Sequence, residues 1–383
     1  MVPAPCAGSR WKPAWSPDLP DLPAIAAVAG VAATGAPERA LARGRWVKWI
    51  GGASNQDLAA IEELAGIYGL AGVHCLDVAA DPAVVAAARR GMAWAQARGA
   101  QRPWLMVSLS DGSDPHFRKA WFDPARCPPD CPRPCERVCP AGAIAPAGSA
   151  QGVLDERCYG CGRCLPACPH GLITEQSRVL SDQAVASLLT SLRPDAIEIH
   201  TRSGRSAAFA ARLAQVRAAG LPLRRLAVSC GLEMDGLAQG GDAGADRLAA
   251  EFWDRFAQVR AAGFPPLWQL DGRPMSGDVG AGTAHAAVQL LRRVLARLPP
   301  GPVQLAGGTN GGTLPLLERL AAAEAAVVAG VAFGSVARVR LQELLRQAQG
   351  RGGRLLDQPD LRSEALALAR ELVGPWLARR RRR

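Results

Sequence analysis

Lysine is nearly absent from this chain. Lys12, Lys48 and Lys119 are the only three among 45 basic residues, so arginine supplies almost all of the +11 net charge. Together with abundant alanine, this points to genome composition more than to a nucleic-acid surface. Aromatic residues make up 5% and never interleave with a basic stripe, which argues against nucleic-acid binding. No stretch of eighteen apolar residues exists, so no transmembrane helix is expected. No Gly-x-Gly-x-x-Gly loop opens a strand–helix unit, and neither a Walker loop nor a Gly-x-Ser-x-Gly elbow occurs. The short apolar run Ala24 to Ala33 follows Asp18 and Asp21 and lacks a basic start, which argues against a signal peptide. A reducing cytoplasm is the expected compartment. Residues 1–43 are rich in proline and alanine and read as a disordered tail. Residues 379–383 form a poly-arginine end, read as solvated, with an acidic partner or anionic lipid surface as the alternative.

Cysteine, by contrast, is concentrated. Eight of the eleven fall in two tandem runs. The first is Cys127-x3-Cys131-x3-Cys135-x3-Cys139-Pro140, and the second is Cys158-x2-Cys161-x2-Cys164-x3-Cys168-Pro169. The second run has the bacterial ferredoxin spacing, including the proline after the fourth cysteine. Zinc sites favour two separated ligand pairs, not three cysteines on one loop followed by a fourth. Three thiolates on a tight loop cover three irons of a cubane, and in two-cluster ferredoxins each run lends its last cysteine to the other cluster. The expected ligand sets are therefore Cys127, Cys131, Cys135 and Cys168 for one [4Fe-4S] cluster, and Cys158, Cys161, Cys164 and Cys139 for a second.

The flanks repeat as well. Pro140-Ala-Gly-Ala-Ile144 matches Pro169-His-Gly-Leu-Ile173, and Asp123 and Asp155 precede the two runs. The apolar residue four positions after each proline is expected to pack over the cluster and exclude water. In the first run, x3 spacing replaces x2 twice and the loop carries Pro128, Pro129, Pro132 and Pro134. Such a loop is expected to hold its corner iron less tightly, making the first cluster the labile one, prone to a [3Fe-4S] form. Cys6, Cys75 and Cys230 stand alone and read as ordinary thiols.

Outside the cysteine runs, short apolar segments alternate with helical patterns. Strands are expected at Trp46–Ile50, Val73–Val78, Trp104–Leu109, Ala196–Ile199, Leu226–Ser229, Leu267–Leu270, Val303–Ala306 and Val331–Phe333. Helices are expected at Asp57–Tyr68, Ala83–Gln96, Asp182–Leu192, Arg205–Ala219, Gly244–Ala262, Ala284–Leu298, Leu314–Ala326, Leu341–Gln349 and Ser363–Ala378. Eight such repeats argue for an α/β fold of the (β/α)8 TIM-like barrel type. The ferredoxin-like module, residues 111–178, is then an insertion after the third strand, dividing the barrel into residues 44–110 and 179–378. A βα loop opens on the carboxyl-end face, so the clusters should hang over the barrel mouth.

Glycine-rich stretches fall at strand ends, at Gly51–Asn55, Gly307–Thr313 and Gly334-Ser335. Gly307, Gly308, Thr309, Asn310, Gly334 and Ser335 could hold the phosphate of a flavin or sugar, as loops after strands seven and eight do in barrels. The plainer reading, that these glycines only make tight turns, is favoured. His200, Arg202, Asp77, Asp81, Glu198, Glu233, Asp271 and Arg338 also sit at or near strand ends. Each alone reads as a salt-bridged or solvated residue, and no base–acid pair stands out.

Several longer motifs are unusual. They include Arg45-Trp-Val-Lys48, Leu76-Asp-Val-Ala-Ala-Asp-Pro82, Arg102-Pro-Trp-Leu-Met-Val107, Asp114-Pro-His-Phe-Arg-Lys119, Asp155-Glu-Arg-Cys-Tyr-Gly-Cys-Gly-Arg-Cys164, Arg273-Pro-Met-Ser-Gly-Asp278 and Gln304-Leu-Ala-Gly-Gly-Thr-Asn310. With the cysteine runs, they make the chain from about residue 43 to about residue 372 resemble the light-dependent period (LdpA) family of cyanobacteria. The resemblance implies an iron–sulfur protein that feeds photosynthetic redox state into the circadian clock. It implies clock input proteins as partners, with an electron donor or the quinone pool as the redox source. Two function classes follow. One is a non-catalytic redox sensor. The other is a flavin-dependent oxidoreductase with the clusters as a relay to a barrel-bound flavin, which rests on fold analogy alone. The sensor is favoured because the resemblance supports it.

Overall fold

The structure is a computed structural model that describes residues 35–177, 180–181, 184–231, 241–273 and 280–380. The first thirty-four residues, Glu233, most of the Arg273–Asp278 motif and the last three arginines lie outside the described residues. Ten strands are described: β1 (Trp46–Gly52), β2 (Cys75–Ala79), β3 (Trp104–Ser110), β4 (Arg118–Trp121), β5 (Thr174–Ser177), β6 (Ala196–His200), β7 (Arg225–Gly231), β8 (Pro266–Asp271), β9 (Val303–Ala306) and β10 (Val328–Phe333). Eight of them close a parallel barrel in the order β1-β10-β9-β8-β7-β6-β3-β2. All eight expected barrel strands are present. The remaining pair, β4 and β5, forms an antiparallel ribbon between the third and fourth barrel strands.

The helices are α1 (Ala36–Arg43), α2 (Leu58–Ala71), α3 (Pro82–Gln96), α4 (Pro134–Arg137), α5 (Cys164–Ala167), α6 (Val185–Leu192), α7 (Ser206–Ala218), α8 (Gly241–Ala261), α9 (Ala284–Val294), α10 (Thr313–Glu318), α11 (Ala322–Val327), α12 (Ser335–Gly350) and α13 (Pro359–Ala378). The expected helix Leu314–Ala326 is two, because Ala321 starts a new turn in which Glu324 accepts the Ala321 N–H. The last strand's helix starts six residues earlier than expected, at Ser335, so Gly334 sits directly before a helix N-terminus.

Strand periodicity sorts the side chains. Val47, Trp49, Leu76, Val78, Leu105, Val107, Ile197 and Ile199 point outward and pack under the helices. Their neighbours point into the barrel. At its amino end Trp46, Cys75, Trp104, Met106, Ala196, Ala227, Leu267 and Ala329 fill the interior with apolar atoms.

Both tails need correction. The expected disordered segment to residue 43 is wrong at its end, because Ala36–Arg43 is helical. Pro37 opens the helix and Gly44 ends it at φ 71°. Leu41 joins the apolar amino-end layer, so this short amphipathic helix plugs the barrel bottom. The tail of five free arginines is likewise shortened. Arg379 is buried, and its guanidinium donates to the carbonyls of Gly44 (3.0 Å), Val328 (2.8 Å) and Ala325 (2.6 Å). It ties α1, α11 and β10 together at the barrel's amino end. No described helix is long and apolar enough to cross a membrane.

Candidate iron–sulfur module and barrel mouth

The cysteine module leaves β3 and returns before β6. The β4–β5 ribbon, with Arg118 opposite Ser177 and Trp121 opposite Thr174, clamps its two ends together. Beyond the ribbon, each run of cysteines ends in a short helix. Cys135 lies in α4 and Cys164 opens α5. The chain then turns at Pro140 or Pro169.

The last cysteine of each run lies within electrostatic reach of the other run. Partial burial pushes the Cys127 thiol up, and both Cys131 and Cys168 add to that. Burial also pushes up Cys135, with Cys168 adding and Arg133 opposing. In the second group, burial raises Cys161 and Cys139 and Cys158 add to it. Cys164 is pushed up to about 12 by burial, then by Cys161, Cys158 and Cys139. These mutual effects require proximity. Cys168 thus lies near Cys127 and Cys135, and Cys139 near Cys161 and Cys164.

Backbone N–H groups point at several sulfurs. Ala143 N donates to Cys139 Sγ (3.2 Å), and Ala120 N to Cys158 Sγ (3.3 Å). Burial would raise Cys168, yet the N–H groups of Leu172, His170, Ile173 and Gly171 outweigh it and hold this thiol below its usual range. The two repeated flanks therefore do the same job, wrapping donors around the fourth cysteine. Ile144 and Ile173 pack in one apolar cluster with Phe122, Cys135, Cys158 and Cys164, as expected from the repeat. Cysteines converging under N–H donors and an apolar cover suit iron–sulfur ligation, and these are the features that tune a cluster's potential.

The two loops differ. In the second, Gly160 (φ 75°) runs so close to Arg118 that a Cβ would lie 2.2 Å from the Arg118 carbonyl oxygen. Between the second and third cysteines, where the second loop has Gly162 (φ 77°), the first loop puts its left-handed turn on Arg133 (φ 48°), a residue with a side chain. Arg133 is held there by Glu136 (3.2 Å) and by the Ala145 carbonyl.

The second loop docks on the barrel mouth. Tyr159, between Cys158 and Gly160, is 5% exposed, and its ring lies 4.3 Å from the Arg338 guanidinium. Burial pushes the Tyr159 hydroxyl up to about 12, opposed by Arg338. Arg338, at the start of α12, donates to the Ile50 carbonyl (2.8 Å) and to Ser335 Oγ (3.3 Å). Beside it, Gln56 N donates to the Glu156 carbonyl (3.0 Å). Lys119 donates to Gln56 Oε1 (2.7 Å), Asp155 Oδ2 (3.1 Å) and the Asp155 carbonyl.

The glycine loops are folded on themselves. Gly307 (φ 66°) and Gly308 (φ 85°) make the turn after β9, and Thr309 donates to the Ala332 carbonyl. Asn310 Nδ2 donates to Gly280 O (3.0 Å) and Thr283 Oγ1 (3.1 Å), while its Oδ1 accepts Gly312 N (2.8 Å). Ser335 receives Arg338. The side chains of Thr309, Asn310 and Ser335 are thus engaged within the chain.

Four of the strand-end residues read singly from sequence, Asp77, Glu198, His200 and Asp271, form one network. Lys48, which sequence reading had left aside, is fully buried inside the barrel and donates to Asp77 Oδ2 (2.9 Å) and to Glu198. Glu198 Oε1 accepts Gln269 Nε2 (2.8 Å) and meets His200 Nε2 (3.0 Å). Gln304 continues the chain to Gln269 (2.6 Å), and Trp46 Nε1 donates to Gln304 Oε1 (2.7 Å). Ser108 donates to Asp77 Oδ1 (2.8 Å), and Ser229 pairs with Asp271. Burial opposes ionisation of Glu198, but Lys48 and His200 hold it well below the usual carboxylate range. Burial opposes charge on His200 too, yet Glu198, Asp114 and Asp271 raise it to about 9. Asp271 is itself raised by burial and by Glu198. The sequence signal was a polar residue at alternate positions of apolar strands, as in Val47-Lys48-Trp49, Leu76-Asp77-Val78 and Ile197-Glu198-Ile199. Asp81 instead caps α3, accepting Ala83 N (2.8 Å).

Residues 127–179 match the family described as LdpA Fe-S cluster-binding domain, and residues 188–375 match the Light dependent period A C-terminal domain. The chain is 46% identical over 343 residues to Light dependent period A of Synechococcus elongatus, covering 88% of this chain and 93% of that protein. Among solved structures, it is similar to a tryptophan synthase of Mycobacterium tuberculosis at 12% identity, covering 89% of this chain and 97% of that one, with a TM-score of 0.40. It is also similar to a geranylgeranylglyceryl phosphate synthase of Thermoplasma acidophilum at 13% identity, covering 88% and 97%, with a TM-score of 0.36. The cysteine-rich insertion, the barrel that carries it and the identity across nearly the whole length together place this iron–sulfur protein in the light dependent period A family.

Proposed function

We propose that this chain holds two [4Fe-4S] clusters in crossed ligand sets and acts as a redox sensor. Cys127, Cys131, Cys135 and Cys168 would hold one cluster, and Cys158, Cys161, Cys164 and Cys139 the other. The observation that supports this reading is that Cys168 lies near Cys127 and Cys135, and Cys139 near Cys161 and Cys164. The clusters supply reversible storage of single electrons. The chain's residues supply the rest. Backbone N–H groups and the Ile144–Ile173 cover set the environment of the sulfurs. Tyr159 and Arg338 connect the second loop to β1 and α12 of the barrel.

A negative charge added inside the loops would be felt by Arg133, by Arg163 and, through Tyr159, by Arg338. The relative's name joins light to a period. We carry that over as the proposal that this chain conveys photosynthetic redox state to clock input proteins, drawing on an electron donor or the quinone pool.

Anaerobic purification with iron and sulfide analysis tests the cluster count, with about eight of each expected per chain. Spectroscopy that resolves the clusters then tests the crossing. Cys168→Ser should damage the cluster of Cys127, Cys131 and Cys135. Damage confined to the cluster of Cys158, Cys161 and Cys164 would show that each run closes on its own cysteine. Stoichiometric zinc without sulfide would end the iron–sulfur count.

A further inference from the structure

We infer that Asp114, His116 and His200 form a site for one divalent transition-metal ion, zinc or ferrous iron, at the barrel mouth. Each offers one ligand atom, and the three atoms lie within 4.8 Å of one another. His200 ends β6 with its Nε2 against Glu198 Oε1 (3.0 Å), which leaves Nδ1 on the far side of the ring, 3.9 Å from Asp114 Oδ1. Metal-ligating histidines are commonly held this way, with the second ring nitrogen bonded to a carboxylate that fixes ring and tautomer. Glu198 is itself fixed by Lys48 and Gln269.

The loop after β3 brings the other two ligands. Asp114 caps a short turn over Pro115–Phe117, which returns His116 onto His200 with ring centroids 4.6 Å apart. Phe117 packs edge-on against His200 at 5.4 Å and walls one side. The side chains of Asp114 and His200 are 9% and 8% exposed, whereas His116 is 25% exposed. The group is therefore buried on the barrel side and open at the mouth. Two imidazoles and one carboxylate suit zinc or ferrous iron, not magnesium or calcium, which prefer oxygen alone. Three protein ligands leave a position for water or an entering ligand.

Without a metal, Asp114 Oδ1 meets His116 Nδ1 (2.7 Å) and accepts the His116 backbone N–H (2.9 Å), and Arg202 Nε lies 3.8 Å from Asp114 Oδ2. An ion would displace the ring contact and release the proton on His200 Nδ1 to solvent, and the backbone N–H and Arg202 would go on orienting the carboxylate. The competing account is a closed, ion-paired network with no metal.

The test uses the full chain, loaded with clusters and kept anaerobic so that the cysteines are occupied. Zn2+ is the probe, in equilibrium dialysis against a weak chelator, followed by X-ray absorption at the zinc edge. One retained zinc per chain with nitrogen and oxygen neighbours and no sulfur is expected. His116→Gln and Asp114→Asn should each weaken binding at least about tenfold. Unchanged cluster absorption and melting temperature would show those variants to be folded, and His116, being partly exposed, should tolerate the change. Sulfur in the zinc shell, no retained zinc, or equal affinity in the folded variants would overturn the site.

Discussion

Arg338 is the residue through which the second cysteine loop and the barrel should feel each other. Its guanidinium lies 4.3 Å from the Tyr159 ring, and Tyr159 is bonded directly to Cys158. For a cluster held by Cys158, Cys161 and Cys164, the working separation from the guanidinium is set at about 8 Å. At that separation, with an effective dielectric of about 20–40, one added charge interacts by about 1–2 kcal/mol. For a one-electron couple this is about 40–90 mV. The sign follows from charge. Arg338 favours the more negative, reduced form, so Arg338→Gln should lower the potential of the second cluster by that amount.

An anaerobic titration followed by electron paramagnetic resonance reads it directly. Arg133→Gln is the control, because Arg133 acts on Cys127 and Cys135 and should move the first cluster instead. The reasoning fails if Arg338→Gln moves neither cluster by more than about 10 mV, or moves the first more than the second. By linkage, whatever Arg338 contributes to the potential, reduction returns as a tighter hold on Arg338 and its carbonyl partner on Ile50.

Three further outcomes are expected. Brief exposure to air should give a [3Fe-4S] signal from the cluster on the longer, proline-rich first loop before the second cluster changes, and simultaneous loss of both would count against a looser corner iron. Glu63 is buried against Leu355 N (2.6 Å), and its folded pKa is raised to about 7, chiefly by burial. A carboxyl raised above its unfolded value holds an extra proton when folded, so stability should fall as pH rises from about 4.5 to about 7. Glu63→Gln, which keeps the acceptor, should flatten that fall and melt higher at pH 8 by the equivalent of about 1–2 kcal/mol, read by thermal unfolding. Arg379→Ala should cost about 2–4 kcal/mol by removing three buried hydrogen bonds donated by its guanidinium, whereas Arg380→Ala, at an exposed position, should leave the melting temperature unchanged.

What could be read from sequence follows from what carries periodic or spaced signals. The eight barrel strands are short apolar runs buried on both faces, and such runs stand out between helices. The cysteine spacing stands out because few chemistries need that many thiols on one loop. The β4–β5 ribbon was missed because Thr174–Ser177 is exposed at every position and has no alternation. Helix α1 was missed because Pro37 and its alanines resemble the tail before it, and only the packing of Leu41 against Trp46 and Trp104 shows its role. Asp77, Glu198, His200 and Asp271 were found one by one. Their assembly around Lys48 was not legible, because it depends on which residues share a level in the closed barrel. Asp114 and His116 come from a loop whose return path no pattern encodes.

Hydrogen exchange compared between oxidised and reduced protein tests the sensing claim most directly. Altered protection is expected in residues 112–177 and in the facing loops near Asn55 and Asn310, with α1 at the opposite barrel end unchanged. Identical profiles in the two states would contradict conformational signalling by this chain.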